Sequence, residues 1–174
     1  MNSSTGLHSD HPQPQTAEAC AQAGAEYLGN GQLDAAQASY RKALELDPNY
    51  AEAHFKLGNT CLKSQFPEQA EACFRRAIDI APNYVKALYN LGNLLLRQSR
   101  LDEAAVCYRH ALATDPEYTN AHINLGVVLK DLGHYEESEK CYLAALKLDP
   151  ENAETLNNLC VVQIELGRLA EAEA

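Results

Sequence analysis

Tryptophan is absent from this chain, methionine occurs once and phenylalanine three times. The large side chains available to a core are therefore chiefly leucine and the nine tyrosines. Positive charge is also scarce. Fourteen Lys and Arg stand against 24 Asp and Glu, for a net charge of −10. Such a chain is a poor grip for nucleic-acid phosphate or an anionic membrane, so neither is expected as a partner. No run of about 18 apolar residues exists, which argues against a membrane-spanning helix. The first twenty residues lack a basic start followed by an apolar stretch, so no secretory leader is read there. The six cysteines are then expected as thiols in a reducing, cytoplasmic compartment. Metal-protease, phosphate-loop, dinucleotide and nucleophile-elbow motifs are all missing, so these residues are expected to carry no catalysis and no cofactor.

Hydrophobic residues nevertheless make up 46% of the 174 positions, enough for a core. Their spacing organises the chain. Pro48, Pro82, Pro116 and Pro150 recur every 34 residues. Gly24, Gly58, Gly92 and Gly126 keep that period, as do Tyr40, Phe74, Tyr108 and Tyr142. Ala43, Ala77, Ala111 and Ala145 do the same. With proline as position 32, the units are 17–50, 51–84, 85–118 and 119–152, with a partial fifth at 153–174. Residues 1–16 are polar and contain proline, and are expected to form a disordered tail.

Each unit reads as two helices. In the third, Leu88, Leu91, Leu95 and Leu101 fall at helical spacing, followed by Ala104, Tyr108, Ala111 and Leu112. Helices are predicted at about 85–98 and 101–114, with Ser99-Arg100 as the turn. Gly31, Gly133 and Gly167 occupy the corresponding turn elsewhere. Proline ends each pair because it cannot continue a helix ladder. Glycine at position 8 and alanine at positions 20 and 27 let helices approach, and the residues at positions 7 and 24 fill the space between.

The Leu-Gly at positions 7–8, Ala at 20, aromatic at 24, Ala at 27 and Pro at 32 resemble the tetratricopeptide repeat family. The departures are Cys160 for glycine, Ser138 for alanine, and His54, Leu88 and His122 at the usual tryptophan position. The resemblance implies an all-α, right-handed superhelical solenoid of antiparallel helix pairs. The fifth unit lacks its position-24 aromatic and its proline, so a fragment of a longer repeat protein is expected. Its Leu156, Leu159, Val162 and Leu166 would then lie open and offer a surface for self-association.

Cysteine and histidine are read as packing residues. Cys73, Cys107 and Cys141 share position 23, but stacked helices lie about 8–10 Å apart, too far for disulfides, which need Cα atoms within about 7 Å. Cys20, Cys61 and Cys160 fall on packing positions of first helices. His54 and His122 are read as packing substitutes. No metal site is expected.

In the family, positions 2, 5, 6, 9, 12 and 13 line a concave peptide-binding groove. Carried over, they place Asn90, Asn124 and Asn158 in a row at position 6, beside Asn59 and Asn93 at position 9. An amide both donates and accepts, so such a row can hold a peptide backbone. Phe55 and Tyr89 at position 5 would be apolar anchors. The second and third units are neutral while the first, fourth and fifth each carry −3. Lys56, Lys63, Lys86 and Arg97 fall on groove positions against the acid Glu52, so a polar or acidic peptide is the expected guest. Family members that hold a C-terminal carboxylate need cations where Phe55, Asn120 and Asn124 stand, so that mode is not expected. The asparagine row is similar to the superhelical arm of O-linked N-acetylglucosamine transferases. Two readings follow: a free-standing interaction scaffold, or the substrate-recognition arm of a larger glycosyltransferase-associated protein whose catalytic domain is absent here.

Overall fold

A computed structural model describes residues 16–167. Among them are nine helices: α1 (Ala17–Gly29), α2 (Leu33–Leu46), α3 (Ala51–Lys63), α4 (Pro67–Ile80), α5 (Val85–Arg97), α6 (Leu101–Thr114), α7 (Thr119–Asp131), α8 (Tyr135–Leu148) and α9 (Ala153–Glu165). Each helix packs chiefly on its neighbours in chain order, the arrangement of an all-α repeat superhelix. The expected tail lies almost wholly outside the described residues. Its last residue, Thr16, instead caps α1, its side chain accepting from the Ala19 amide at 3.1 Å. The second helix of the fifth unit also lies outside them.

The packing follows from the smallest and largest side chains. Tyr40, Phe74, Tyr108 and Tyr142 are fully buried. Each ring lies on a glycine of its own hairpin: a Cβ at Gly24, Gly58, Gly92 or Gly126 would stand 2.6–2.8 Å from the ring. Leu88, Leu91, Leu94 and Leu95 complete the centre of the core. Ser138, buried at the alanine position, donates to the Gly126 carbonyl at 2.7 Å and so meets no desolvation penalty. Pro67 opens α4 at a position where its missing N–H costs nothing.

Opposite charges staple the second helices together. Arg75 on α4 bonds Glu103 on α6 at 3.0 Å, and Arg109 on α6 bonds Glu137 on α8 at 2.9 Å. At the equivalent place Arg41 reaches the Gln69 carbonyl oxygen at 3.4 Å. Glu71 accepts from both Arg75 and Arg100, each at 2.8 Å. Burial pushes the Glu71 carboxyl up, but the two arginines outweigh it and hold it below the usual range. Arg100 and Arg75 do the same for Glu103. A carboxylate with a depressed folded pKa contributes stability above its unfolded value, about 4.3, and that contribution is lost as pH falls through the folded one. We expect the urea midpoint to drop on acidification below about pH 4.5, and Glu71→Gln to flatten that drop. An identical pH profile for Glu71→Gln would show the cluster to be energetically silent.

The turns inside hairpins need a left-handed residue. Gly31, Gly133 and Gly167 supply it with φ of 75°, 78° and 72°. In the second and third hairpins Gln65 (φ 64°) and Ser99 (φ 59°) take the same conformation. The cap geometry is conserved regardless: the Phe66 amide reaches the Cys61 carbonyl, and that of Arg100 reaches Leu95, both at 2.9 Å. A left-handed L-residue costs about 1–2 kcal/mol, partly offset by glycine's greater entropy loss. Gln65→Gly and Ser99→Gly should each stabilise by a few tenths to about 1 kcal/mol, measured as a rise in the urea midpoint. A fall would mean their side chains hold the turn.

Candidate functional site: a polar inner groove

The first helix of each hairpin carries the residues assigned to the groove. Asn59, Asn90, Asn93, Asn124 and Asn158 are all half-buried. They do not form one row of independent amides. Asn90 Nδ2 donates to Asn59 Oδ1 at 2.7 Å, and Asn124 Nδ2 donates to Asn93 Oδ1 at 2.7 Å. Each bond joins position 6 of one hairpin to position 9 of the hairpin before it. Asn93 Oδ1 also accepts from the Tyr108 hydroxyl at 2.7 Å, and Asn124 Nδ2 reaches the Tyr89 hydroxyl at 3.2 Å. Asn158 makes no side-chain hydrogen bond among the described residues, because the preceding position 9 is Val127, which has no acceptor.

This pairing fixes the amides and leaves specific atoms for a ligand. Asn59 and Asn93 keep their Nδ2 donors, and Asn90 and Asn124 keep an Oδ1 acceptor. Donor and acceptor thus alternate along the groove. Asn90 and Asn93 also line, with Leu62, Leu94 and Arg97, a pocket of about 120 Å³.

The two apolar anchors divide. Phe55 is a correction: it is 8% exposed and belongs to the core, not to the groove. Its ring turns inward because Phe74 and Tyr84 offer it surface, with ring centroids 6.1 and 5.1 Å away. Tyr89 is half-buried, with its ring 6.0 Å from Tyr108 and 5.0 Å from Tyr118. Its hydroxyl belongs to the amide network.

Among the groove cations, Lys63, Lys86 and Arg97 are exposed and form no ion pair among the described residues. Lys56 approaches Glu52 at 3.9 Å, a loose surface contact. The well-formed arginine–carboxylate pairs belong instead to the second helices.

Two further readings change. His54 and His122 are half-buried, but their Nε2 atoms contact the Pro48 and Pro116 carbonyls at 3.0 and 2.8 Å. They clasp the loop before their own helix rather than only filling space. The cysteine reading stands: Cys61 is buried, and its thiol lies 4.0 Å from Gln69 Oε1 across the α3–α4 hairpin. Burial pushes the Cys73, Cys107 and Cys141 thiols up to about 11, so at neutral pH they are protonated and unreactive. Finally, the fifth-unit face expected to be open is only partly so. Leu159 and Val162 pack on Tyr142, while Leu156 remains 43% exposed.

A stack of helical hairpins with paired amides along its first helices defines a repeat scaffold. Family models described as TPR repeat or tetratricopeptide repeat match residues 24–65, 49–117, 119–152 and 141–174. The chain belongs to the tetratricopeptide repeat family. Among solved structures it is similar to MamA, with 23% identity, TM-score 0.81, and 86% of this chain and 87% of that one covered. It is also similar to YrrB, described as a TPR protein with an unusual peptide-binding site: 24% identity, TM-score 0.81, 90% of this chain and 80% of that one. Pseudomonas aeruginosa pilF gives 24% identity and TM-score 0.74, over 90% of this chain and 76% of that one. These likenesses show the fold. No curated protein matches the chain. Among the described residues no helix is long and apolar enough to cross a membrane.

Proposed function

We propose that the inner face is a protein-interaction groove that holds an extended polar or acidic peptide segment. The carrying observation is the amide pairing. Asn59 with Asn90 and Asn93 with Asn124 are locked to one another and still present alternating donors and acceptors, which match the N–H and C=O groups of a peptide backbone. Prior pairing lowers the entropy lost when a ligand binds. The cations without ion pairs, Lys63, Lys86 and Arg97, set the charge preference, and Lys56 adds to them. The resemblance of the fold to a peptide-binding repeat protein, YrrB, supports the same reading.

The test is an array of unstructured peptides of equal length and graded charge. Acidic peptides should bind best, and that preference should fade with salt, because exposed charges are screened beyond a Debye length of about 8 Å at physiological ionic strength. The triple variant Lys63→Ser, Lys86→Ser, Arg97→Ser should remove the preference. Equal binding of acidic and basic peptides would contradict the charge assignment.

A second reading keeps the same surface but places it in a longer polypeptide, as the substrate-recognition arm of a glycosyltransferase of the O-linked N-acetylglucosamine type. The Asn90 and Asn124 positions favour it. The reading frame beyond Ala174 decides: a nucleotide-sugar domain in frame supports the arm, and a stop codon there removes it.

A further inference from the structure

The groove has an unusual first compartment. A cavity of about 540 Å³ lies between the first two hairpins, and its wall includes Ala21, Gln22, Ala25, Tyr40, Tyr50 and Lys56. Internal comparison explains its presence. In the second hairpin, Phe55 at position 5 lies between Phe74 at position 24 and Tyr84 at position 34. In the third, Tyr89 lies between Tyr108 and Tyr118 at those same positions. The first hairpin has both outer rings, Tyr40 and Tyr50, but alanine at position 5. Among the described residues no ring pairs with Tyr50.

A second, independent observation comes from the hydroxyl of Tyr40. The side chain is fully buried and its oxygen has no hydrogen-bond partner, a state shared by Tyr142 in the fourth hairpin, where position 9 is Val127; of the two, only Tyr40 lines this cavity. In the third hairpin the equivalent Tyr108 hydroxyl donates to Asn93 at position 9. In the first hairpin position 9 is Ala25. A buried hydroxyl without a partner is costly, so this wall lacks both a central ring and a hydrogen-bond acceptor.

The geometry points to an aromatic-residue pocket: a peptide bound in the groove inserts a Phe, Tyr or Trp side chain between Tyr40 and Tyr50, and one of its carbonyl oxygens accepts from the Tyr40 hydroxyl. Ala21 and Ala25 make room for the ring and the carbonyl. Glu18, Gln22, Glu52 and Lys56 also line the cavity. The first fifteen residues contain no Phe, Tyr or Trp, so that segment does not supply the ring; the occupant proposed is a partner peptide. This deepens the groove reading above and rests on it, because it names the residue class that anchors one end of the ligand.

The test uses the whole chain, labelled with nitrogen-15, and two probes, N-acetyl-phenylalaninamide and N-acetyl-leucinamide. The aromatic probe should shift the backbone amides of Gln22, Tyr40 and Tyr50, and the leucine probe should shift them at least fivefold less at equal concentration. Ala21→Phe supplies the ring from within and should abolish the shifts while raising the melting temperature. Should that variant fold poorly, Ala25→Asn serves instead: it supplies the acceptor as Asn93 does and should weaken the aromatic probe severalfold. Tyr40→Phe should retain ring binding with affinity reduced severalfold. Equal shifts from both probes, or none at these three residues, overturn the proposal. The groove reading fails separately: in that case acidic peptides show no binding that depends on Asn90 and Asn124, whatever the probes do.

Discussion

Tyr108→Ala is expected to destabilise the protein by about 3–5 kcal/mol, the range for removing a large buried aromatic. The ring is fully buried at the centre of the stack, lies on Gly92 and packs 6.0 Å from Tyr89. Its hydroxyl also holds Asn93, which in turn holds Asn124. The loss therefore combines a cavity with an unpicked amide network. Because a repeat stack is stabilised by contacts between neighbours, damage in the third hairpin uncouples the units on either side. Against a typical total of about 5–15 kcal/mol, the variant should be marginal at best. Equilibrium urea unfolding measures it, and a loss below about 1 kcal/mol would mean the ring is not the keystone its burial indicates.

Gly92→Ala has the second-largest expected effect. In an ordinary helix the change stabilises by about 0.8–1.0 kcal/mol. Here the added Cβ would stand 2.6 Å from Tyr108 Cε1 and 2.9 Å from Cζ. The enclosed ring has no open side to move into. Overpacking of this kind costs about 1–3 kcal/mol, so a net loss of up to about 2 kcal/mol is expected after the helix gain. The background decides the cause. With Tyr108→Ala already present, the same Gly92→Ala should become neutral or stabilising, because the clash has gone. Two additive losses would show that the glycine is needed for something other than the ring.

Both predictions concern residues that were legible in the sequence. Glycine and aromatic at fixed offsets in a 34-residue period already imply that one sits on the other. The helix positions were legible for the same reason, and α5 and α6 end within a residue of their expected limits. Other features depend on a side chain's choice of direction, which period alone does not set. Phe55 occupies a groove position, yet its ring gains more by packing between Phe74 and Tyr84 than by facing water. The histidines at position 4 keep a polar atom, and a carbonyl six residues earlier is within its reach.

The groove amides were legible as residues but not as pairs. Reading down one position gives a row of asparagines. The bonds instead run from position 6 to position 9 of the preceding hairpin, a separation of 31 residues. The outer arginine–glutamate staples recur at 28 residues and were equally open to a search for opposite charges at that offset. The first compartment of the groove was hidden for another reason. It is defined by what Ala21 and Ala25 do not fill, and small residues give no signal of their own until their counterparts Phe55, Tyr89, Asn59 and Asn93 are placed beside them.

The central claim is that the asparagines of the inner face hold the ligand backbone. It is tested most directly by calorimetric titration of the best acidic peptide into the parent chain and into Asn90→Ala/Asn124→Ala/Asn158→Ala. Each backbone hydrogen bond is worth about 0.5–1.5 kcal/mol net, so losing two or three should weaken binding by at least about fivefold, which is about 1 kcal/mol. The unfolding midpoint should fall modestly, because the variant also removes the Asn59–Asn90 and Asn93–Asn124 bonds between hairpins, yet the stack should stay folded because these side chains lie outside the core. That combination is what the account predicts. Unchanged affinity in a folded triple variant would contradict it and move the binding surface elsewhere on the stack.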